Sequence, residues 1–429
     1  MNKINIITLG CSKNTVDSEM IATQLDAQNI EFVFDKFDTS AKTVVINTCG
    51  FIADAKEESI DTILQFAKAK ENNEIENLYV MGCLSERYKD DLKKEIKEVD
   101  EFFGVNDLKE IVETLKVDYK KELIGERVIS TPKHFAYLKI SEGCDRSCSF
   151  CAIPLIRGKH ISVPQEILLS QAKNLVSKGV KELILIAQDI SYYGLDIYKR
   201  QALPELLEKL AKIKGLKRIR LHYAYPTNFP FEVLDVMKKH KNICRYIDIP
   251  FQHISTNVLK KMKRGHSKDV ILKFIERFRK EIPEIIIRTT LLVGHPGETD
   301  EDFNELKQFV KEMKFERLGV FTYSEEENTY AGDNFKDDVP ENVKMERANE
   351  IMQIQQEISF ELNTAKIGKT FEVIIDREDE KYFIGRTEFD SPEVDNEVLI
   401  EKSKKLQIGE FYNVKIINAE DFDLFGKLI

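Results

Sequence analysis

Three cysteines stand close together in one short segment, at Cys144, Cys148 and Cys151, in a C-x3-C-x2-C spacing. Thiolates this close in one loop can converge on a single metal centre. A four-iron cluster normally takes four cysteines, so three ligands leave one iron open to a small molecule. A Cys3His zinc site completed by His134 or His160 is the alternative that the spacing leaves open. The segment is therefore predicted to hold a metal centre.

The chemistry of such a centre follows from its open iron. An iron with free positions can chelate the amino and carboxylate groups of S-adenosylmethionine, and one electron from the reduced cluster then breaks the carbon–sulfur bond. The cluster supplies the radical chemistry, while the protein supplies placement and the exclusion of water. The segment follows a strand predicted at 137–140, at the face where barrel enzymes keep their sites. We therefore expect Cys144, Cys148 and Cys151 to be catalytic.

A second set of cysteines is spread over the first part of the chain. Cys11, Cys49 and Cys83 each follow a short Ile-, Val- or Leu-rich stretch that reads as a buried strand. In an open parallel sheet, ligands bind beyond the carboxyl ends of the strands, so these thiols would gather at one edge. Three small buried residues are the alternative, since free cysteine packs well inside proteins. The shared placement favours the metal-ligand interpretation, whereas Cys244 has no partner pattern and reads as a packing residue.

The first part of the chain, around Cys11, Cys49 and Cys83, alternates between strand and helix, which is typical of an α/β domain with a parallel sheet. The predicted strands are 4–9, 43–47 and 78–81, with helical patterns at 17–29 and 55–69. From residue 135 the alternation resumes in longer units. Its predicted strands are 137–140, 182–187, 218–222, 246–249, 285–293 and 318–322. Six β/α units are too few for an eight-unit barrel, so we expect an open, partial barrel that ends in a helix at 341–362.

The pattern changes after Gly368. Five short strands with turns between them predict a small β-barrel. These strands are 371–375, 382–386, 398–401, 412–417 and 424–429. We therefore divide the chain into an N-terminal open parallel α/β domain at 1–117, a linker at 118–134, a central partial (βα)6 barrel at 135–364 and a C-terminal β-barrel at 365–429.

The composition limits the function classes. Hydrophobic residues make up 42% and charged residues 32% of the 429, so a sizeable core is expected. No apolar run is long enough to cross a bilayer, and the start is too short and polar for a signal peptide, so we expect a cytoplasmic protein without a membrane partner. The net charge of −10 argues against free nucleic acid as the main substrate, since phosphate binding needs a basic face. A basic protein partner fits more easily.

Together these residues resemble the methylthiotransferase family of radical S-adenosylmethionine (SAM) enzymes, over essentially the whole chain. Three stretches resemble the RimO type within that family, which modifies a ribosomal protein. These stretches are Gly10-Cys-Ser-Lys-Asn-Thr-Val-Asp-Ser-Glu19, Tyr223-Ala-Tyr-Pro-Thr227 and Asp390-Ser-Pro-Glu-Val-Asp395. The MiaB type, which modifies transfer RNA, typically has Gln-Met-Asn after the first cysteine and Ser-His-Pro in place of Tyr-Ala-Tyr-Pro. Ser391 departs from the alanine usual in the RimO type.

The resemblance implies a reaction and its cofactors. A methylthio group is added to the β-carbon of an aspartate in small-subunit ribosomal protein twelve. One SAM molecule provides the methyl group and another is the source of the radical, with two [4Fe-4S] clusters in the protein. The resemblance assigns the auxiliary cluster to Cys11, Cys49 and Cys83, and it assigns the C-terminal barrel to the TRAM domains. A flavodoxin or ferredoxin is the expected electron donor.

Other residues are expected to bind SAM. Gln188 and Asp189 end the second barrel strand, where the family binds the amino group; a polar strand end is the alternative. Arg288 is a charge in an apolar strand and needs a carboxylate, either that of the cofactor or one within the protein. Gly294 would let the backbone turn near the adenosine, and Asp248 could contact the ribose or the substrate.

Two charged residues lie close to the second cysteine set. Lys13 and Asp17 lie beside Cys11 and could neutralise or shape the auxiliary site.

The charge of the C-terminal barrel bears on the substrate. Residues 366–429 hold 15 Asp plus Glu against 10 Lys plus Arg, a net charge of −5. A barrel that binds RNA should be basic, whereas an acidic one suits a basic ribosomal protein. A MiaB-type transfer-RNA enzyme and a non-catalytic, zinc-stabilised binding factor remain as alternatives.

Overall fold

The computed structural model describes residues 3–36, 40–123, 126–402 and 405–429, and the N-terminal part is an open sheet of parallel strands. The strands are β1 (Ile4–Thr8), β2 (Phe32–Phe34), β3 (Thr43–Thr48), β4 (Asn77–Gly82) and β5 (Glu101–Phe102), in the order β2-β1-β3-β4-β5. The helices are α1 (Ser12–Asp26), α2 (Ala53–Glu71), α3 (Cys83–Glu95) and α4 (Leu108–Thr114). Separate apolar clusters on the two faces of the sheet leave β3 buried throughout, as expected of a central parallel strand.

The central part is built on six parallel strands. They are β6 (Phe135–Lys139), β9 (Glu182–Ile186), β10 (Arg218–Leu221), β11 (Ile243–Asp248), β12 (Ile286–Val293) and β13 (Arg317–Thr322), and a small hairpin, β7 (Ser141–Glu142) and β8 (Ile161–Ser162), follows β6. The six strands pair in the order β13-β12-β11-β10-β9-β6 without closing.

Helices cover one face of this sheet and enclose the largest apolar core. The helices of the central part are α5 (Ile153–Arg157), α6 (Gln165–Ser177), α7 (Leu195–Tyr198), α8 (Leu203–Leu210), α9 (Glu232–Lys239), α10 (Thr256–Lys261), α11 (Lys268–Glu281), α12 (Asp300–Met313), α13 (Tyr330–Asn334) and α14 (Glu341–Thr364). Of these, α5 and α13 lie outside the largest core and belong to smaller apolar clusters. None of the helices formed by the described residues is long and apolar enough to span a bilayer. The opposite face, here called the inner face, carries Tyr137, Arg220, Tyr246, Asp248 and Arg288.

The C-terminal part is a closed five-stranded barrel. Its strands are β14 (Thr370–Glu378), β15 (Tyr382–Arg386), β16 (Glu397–Glu401), β17 (Phe411–Ala419) and β18 (Asp423–Leu428), in the order β14-β15-β16-β18-β17. Alternate residues such as Val373, Ile375, Val414 and Ile416 fill its core. Closure removes the unpaired strand edges that an open sheet of this size would expose.

The architecture confirms the predicted fold class, an open parallel α/β domain followed by a partial (βα)6 sheet and a small β-barrel. Every predicted strand is present, with bounds shifted by at most a few residues. Strands β2 and β5 and the β7–β8 hairpin were not predicted, because segments of two or three residues carry no periodic pattern. The domain boundaries at 117, 134 and 364 stay predictions.

The C-terminal barrel docks on the inner face through buried ion pairs. Glu182 at the start of β9 pairs with Arg220 of β10 and Arg386 of β15, and both side chains of the Glu182–Arg220 pair are fully buried. Arg317 of β13 pairs with Asp390 of the β15–β16 loop. These pairs place that loop, which contains Asp390–Asp395, against the inner face.

Candidate active site

The three N-terminal cysteines lie beyond the carboxyl ends of neighbouring strands. Cys11 comes three residues after β1, Cys49 directly follows β3, and Cys83 follows β4 as the first residue of α3. Burial raises the pKa of Cys49, and the nearby Cys11 thiol raises it further. The pKa of Cys83 rises to about 12, mainly through burial and also through Cys11 and Cys49. Sγ of Cys83 also lies 3.9 Å from Oδ1 of Asn14, three residues after Cys11, so the structure brings the predicted triad together.

A glycine makes this convergence sterically feasible. Gly10 has a φ of +87°, and a Cβ atom at this position would lie 2.6 Å from Cβ and 2.9 Å from Sγ of Cys49. Any other residue would therefore clash with the thiol and would occupy a left-handed conformation that disfavours a side chain. The absence of a side chain at Gly10 lets the chain ends after β1 and β3 approach each other.

The second triad lies in the loop after β7, and the loop is closed by its own backbone. The amide of Cys144 donates to the carbonyl of Gly158 at 3.0 Å, and the amide of Cys151 donates to the carbonyl of Cys148 at 3.2 Å. Burial raises the pKa of Cys144 to about 11 and that of Cys151 to about 12, and the neighbouring Cys148 thiol adds to both. Three mutually close thiols in one loop fit the donor set that an iron–sulfur cluster takes.

Each triad also has a buried arginine. Arg264 Nη1 donates to Sγ of Cys148 at 3.3 Å, and Arg157 opposes the effect of burial on the pKa of Cys83. A guanidinium beside a thiolate offsets the negative charge that a cluster and its ligands bring into a buried site. The residues present therefore fit two iron–sulfur clusters.

The zinc alternative is not supported by the histidines. His134 pairs with Asp376 of the C-terminal barrel at 2.7 Å, and the His160 ring bonds to Ser162 at 3.0 Å. Within the described part of the chain, no group of three or more Cys, His, Asp or Glu is arranged to hold a single metal ion. Both histidines that could complete a Cys3His site therefore have other partners.

Arg157 joins the two triads. It ends α5, which begins two residues after Cys151, and its Nη2 donates to Oδ1 of Asn14 at 2.6 Å. Asn14 lies three residues after Cys11 and donates from Nδ2 to the carbonyl of Leu9 at 2.8 Å. Cys83 shares a small apolar cluster with Ala152 and Ile156 of the same loop and helix. The two triads are therefore adjacent, across the boundary between the N-terminal and central sheets.

A network of charged side chains surrounds this junction. Lys139 of β6 pairs with both Asp17 and Glu142, and Arg157 Nη1 reaches the same two carboxylates at 3.1 and 3.0 Å. Burial alone would raise the pKa of Glu142, but Lys139 and Arg157 outweigh it and lower that pKa strongly. Asp17, expected beside the auxiliary site, is thus an anchor between the two sheets.

Two of the predicted SAM-binding residues lie next to the catalytic loop. Gln188 donates from Nε2 to Oε1 of Glu142 at 2.9 Å, and its own Oε1 is buried and has no partner among the described residues. Asp189 pairs with Arg146, between Cys144 and Cys148, at 2.8 Å. The Gln188 amide oxygen is therefore free to accept a hydrogen bond from a cofactor amino group.

Asp248 and Arg288 are paired with each other and with the C-terminal barrel. Arg288 Nη1 lies 3.2 Å from Oδ1 of Asp248, and its Nε lies 3.4 Å from Oδ1 of Asp395. The internal ion pair, one of the two interpretations of Arg288, is thus formed. Gly294 lies apart from them, with a φ of +76° and a Cβ position only 2.3 Å from Cγ of Lys344. That crowding explains the glycine sterically, and the roles of these residues toward SAM stay predictions.

The relatives of this chain decide its family. It is 58% identical over 427 residues to the ribosomal protein uS12 methylthiotransferase RimO of Christiangramia forsetii, covering 99% of this chain and 94% of that protein. It is 55% identical to the protein of the same name from Phocaeicola vulgatus, covering 100% of this chain and 99% of that one. The chain belongs to the RimO family.

Family models agree with this RimO assignment. The Radical SAM superfamily matches residues 138–310, the uncharacterized protein family UPF0004 matches 3–104, and the TRAM domain matches 367–429. A radical SAM methyltransferase, TsrM from Kitasatospora setae, has a TM-score of 0.55 at 14% identity, covering 75% of this chain and 73% of that one. The cobalamin-dependent radical SAM enzyme OxsB has a TM-score of 0.52 at 12% identity, covering 83% and 56%. These structural likenesses show the fold alone.

As a RimO family member the chain is a radical SAM methylthiotransferase, and its cofactors are SAM and [4Fe-4S] clusters. This confirms the predicted enzyme class, cofactors and family. It sets aside the non-catalytic zinc factor, and it does not favour the MiaB-type alternative.

Sequence reasoning missed several residues of this RimO site. Arg157, Glu142 and Arg264 were not predicted, although each touches a triad or the network between the triads. Glu142 and Arg157 flank the catalytic loop, so the charges at the two ends of this cysteine segment could have indicated that both residues belong to the site. Arg264 contacts Cys148 from 116 residues away, and nothing in the local sequence indicates that contact.

Proposed function

We propose that this chain methylthiolates the β-carbon of an aspartate in ribosomal protein uS12, with Cys144, Cys148 and Cys151 holding the radical SAM cluster and Cys11, Cys49 and Cys83 holding the auxiliary cluster. The observation that carries this proposal is the junction described above, where Arg157 follows one triad and bonds to Asn14 beside the other. Two incompletely ligated centres side by side suit a reaction in which one generates a radical and the other provides sulfur.

When bound, the two clusters and SAM supply the electron, the radical precursor, the methyl group and the sulfur. The protein's own residues place and shield them. Arg264 and Arg157, both almost fully buried, offset the charge of the thiolates. Shielding by the protein matters because a radical that meets a wrong C–H bond is lost.

The cofactor residues act through hydrogen bonds. Gln188 and Asp189 lie at the end of β9 beside the catalytic loop, and the unpartnered Gln188 oxygen supports a role in accepting the cofactor's amino group. Arg288 neutralises Asp248, and it thereby holds that carboxylate at the end of β11 for a ribose or substrate contact. Gly294 gives the chain a turn that a side chain would block.

The C-terminal barrel supports a protein substrate. Its net charge of −5 matches a basic ribosomal protein better than it matches RNA. A flavodoxin or ferredoxin is proposed as the electron donor, because a one-electron carrier of low potential is needed to reduce the radical cluster.

The test is mass spectrometry of uS12 from cells with and without the gene. We expect the methylthio group on the aspartate to disappear on deletion and to return with the wild-type gene, but not with a variant that carries alanine at Cys144, Cys148 and Cys151. A Cys244→Ala gene, which removes a buried thiol outside both triads, is the matched control and should restore the modification. Unchanged uS12, or loss of a methylthio-adenosine from transfer RNA instead, would contradict the proposal.

A further inference from the structure

Lys13 is a buried cation without a counter-ion among the residues that the structure describes. Only 8% of its surface is exposed, and its ammonium lies 3.6 Å from the centroid of the Tyr223 ring. No hydrogen bond or ion pair to another described residue accompanies this contact. A ring offers an ammonium only part of what water or a carboxylate would provide. Because the Lys13 side chain is mostly buried and has no counter-ion, an incoming anion would offset the cost of taking its charge out of water.

Most of the other cations around the junction already have carboxylate partners, and Arg264 lies against the Cys148 thiol instead. Arg146 pairs with Asp189, Lys139 and Arg157 pair with Asp17 and Glu142, and Arg288 pairs with Asp248 and Asp395. The neighbouring His222 does not balance the positive charge of Lys13 either. Burial first, and then nearby cations that include Lys13, hold the His222 pKa well below its usual value. Lys13 is therefore the cation of this described group that is left to meet an incoming anion.

The position of Lys13 is between the two triads. It lies two residues after Cys11, and Tyr223 packs against an apolar cluster that includes Tyr137, Ile184 and Ile186 on the inner face. Tyr225, two residues after Tyr223, places its hydroxyl 4.0 Å from Sγ of Cys148. An anion bound at Lys13 is thus next to the auxiliary cysteines and to the segment that reaches the radical cluster.

Backbone hydrogen bonds hold Tyr223, whose ring lies under Lys13, in place. Tyr223 has a φ of +63°, a conformation that is uncommon outside glycine. Its amide donates to Oδ2 of Asp248 at 3.2 Å, and its carbonyl accepts from the amide of Ile190 at 3.1 Å. Backbone strain that surrounding hydrogen bonds maintain is frequent at ligand sites. Lys13 and Tyr223 also belong to two of the sequence motifs quoted above to which the proposed mechanism assigns no side-chain role.

We propose that Lys13, stacked on Tyr223, binds the side-chain carboxylate of the substrate aspartate. The inference rests on the proposed function, which makes the target an aspartate. The reacting β-carbon is bonded directly to the carboxyl carbon, so an ammonium that binds the carboxylate also positions the carbon that must react. Asparagine, which has the same shape without the charge, would replace this ion pair with a weaker hydrogen bond from the ammonium to a neutral amide oxygen.

The test measures how tightly the cluster-loaded enzyme binds purified uS12 and binds a uS12 variant with asparagine at the target position. The wild-type enzyme is expected to bind the aspartate form about tenfold or more tightly than the asparagine form. Lys13→Met should abolish this preference by weakening only the aspartate form, and Lys13→Arg should keep part of it. Lys381→Met, which removes an exposed cation from the Tyr382 ring, is the matched control and should behave as wild type. Iron content and SAM affinity should stay unchanged in all three variants.

Two results would overturn the inference. The first is a wild-type enzyme that binds both forms of uS12 equally, which needs no variant to interpret. The second is a Lys13→Met enzyme that keeps the preference for aspartate; if its SAM affinity also falls, Lys13 binds the cofactor carboxylate instead. If the wild-type enzyme does not methylthiolate uS12 at all, the proposed function fails instead, so the two failures are distinguishable.

Discussion

Arg157 Nη2 donates to Asn14 Oδ1 at 2.6 Å, and this bond connects the helix after the catalytic cysteines with the helix after Cys11. The guanidinium is almost fully buried and is balanced by the carboxylates of Asp17 and Glu142. The relative position of the two triads therefore depends on one arginine that is not itself a ligand.

Replacing Arg157 should loosen the N-terminal sheet from the central one. In Arg157→Gln the buried Asp17 and Glu142 would keep only Lys139, and breaking a buried charge network of this kind costs about 3–5 kcal/mol. Faster hydrogen exchange in Ser12–Asp26 would report the loss. Arg200→Gln removes an exposed pair with Glu205 and should change stability by at most about 1 kcal/mol. Equal exchange in both variants would contradict the role assigned to Arg157.

Gly10→Ala should remove the N-terminal cluster and leave the other in place. The added methyl group would meet Cys49 at 2.6 Å and would force one ligand out of position. Iron content after anaerobic reconstitution is expected to fall to about half that of wild type, because three of the six ligands form one site. Gly179→Ala is the control, since it has a φ of +105° and open space around the Cβ position. A full iron content in Gly10→Ala would show that the steric argument is wrong.

Alanine at one triad should abolish one cluster without affecting the other. A Cys144/Cys148/Cys151 variant should lose SAM cleavage and keep about half of the iron, and a Cys11/Cys49/Cys83 variant should keep SAM cleavage and lose the transfer of sulfur. Cys244→Ala should keep both clusters, because that thiol is buried with Tyr246 and Ile286 and away from both triads. Electron paramagnetic resonance of the reduced proteins distinguishes these outcomes, and loss of both signals in either triple variant would contradict two separate sites.

The docking of the C-terminal barrel should depend on pH through Glu182. Burial would raise the pKa of this carboxyl, but Arg386 and Arg220 outweigh it and lower the pKa from its ordinary 4.5 to about 2. The stabilisation is therefore complete above pH 4.5 and is lost as the pH falls toward 2. Glu182→Gln should cost about 3–5 kcal/mol at neutral pH, because it leaves two buried guanidiniums with less compensation.

Denaturant unfolding of wild type and Glu182→Gln from pH 7 downwards measures this effect. The difference in unfolding free energy should shrink once the pH falls below 4.5. A Glu205→Gln variant, altered at an exposed pair, controls for the general effect of acid. A difference that stays constant with pH would show that the Glu182 charge does not stabilise the docked barrel.

The sequence by itself determined the local part of this protein. Strands such as β3 and β9 were predicted because a strand buried on both faces is mostly apolar, and that signal is contained in the segment itself. The spacing of Cys144, Cys148 and Cys151 is likewise local. Cys11, Cys49 and Cys83 are far apart in the sequence, but their convergence was still predictable, because the carboxyl ends of neighbouring parallel strands meet at one edge.

Only the tertiary structure decided which side chains meet across domains. Arg288 was predicted to need a carboxylate. One of its partners, Asp395, lies 107 residues further along the chain, in the C-terminal barrel. Arg157 with Asn14, and Lys13 with Tyr223, are contacts of the same kind. A charge in the sequence shows that a partner is required, but the choice among distant partners depends on how three separately folded units pack. That packing arises from many weak contacts between segments far apart in the chain, so no local pattern records it.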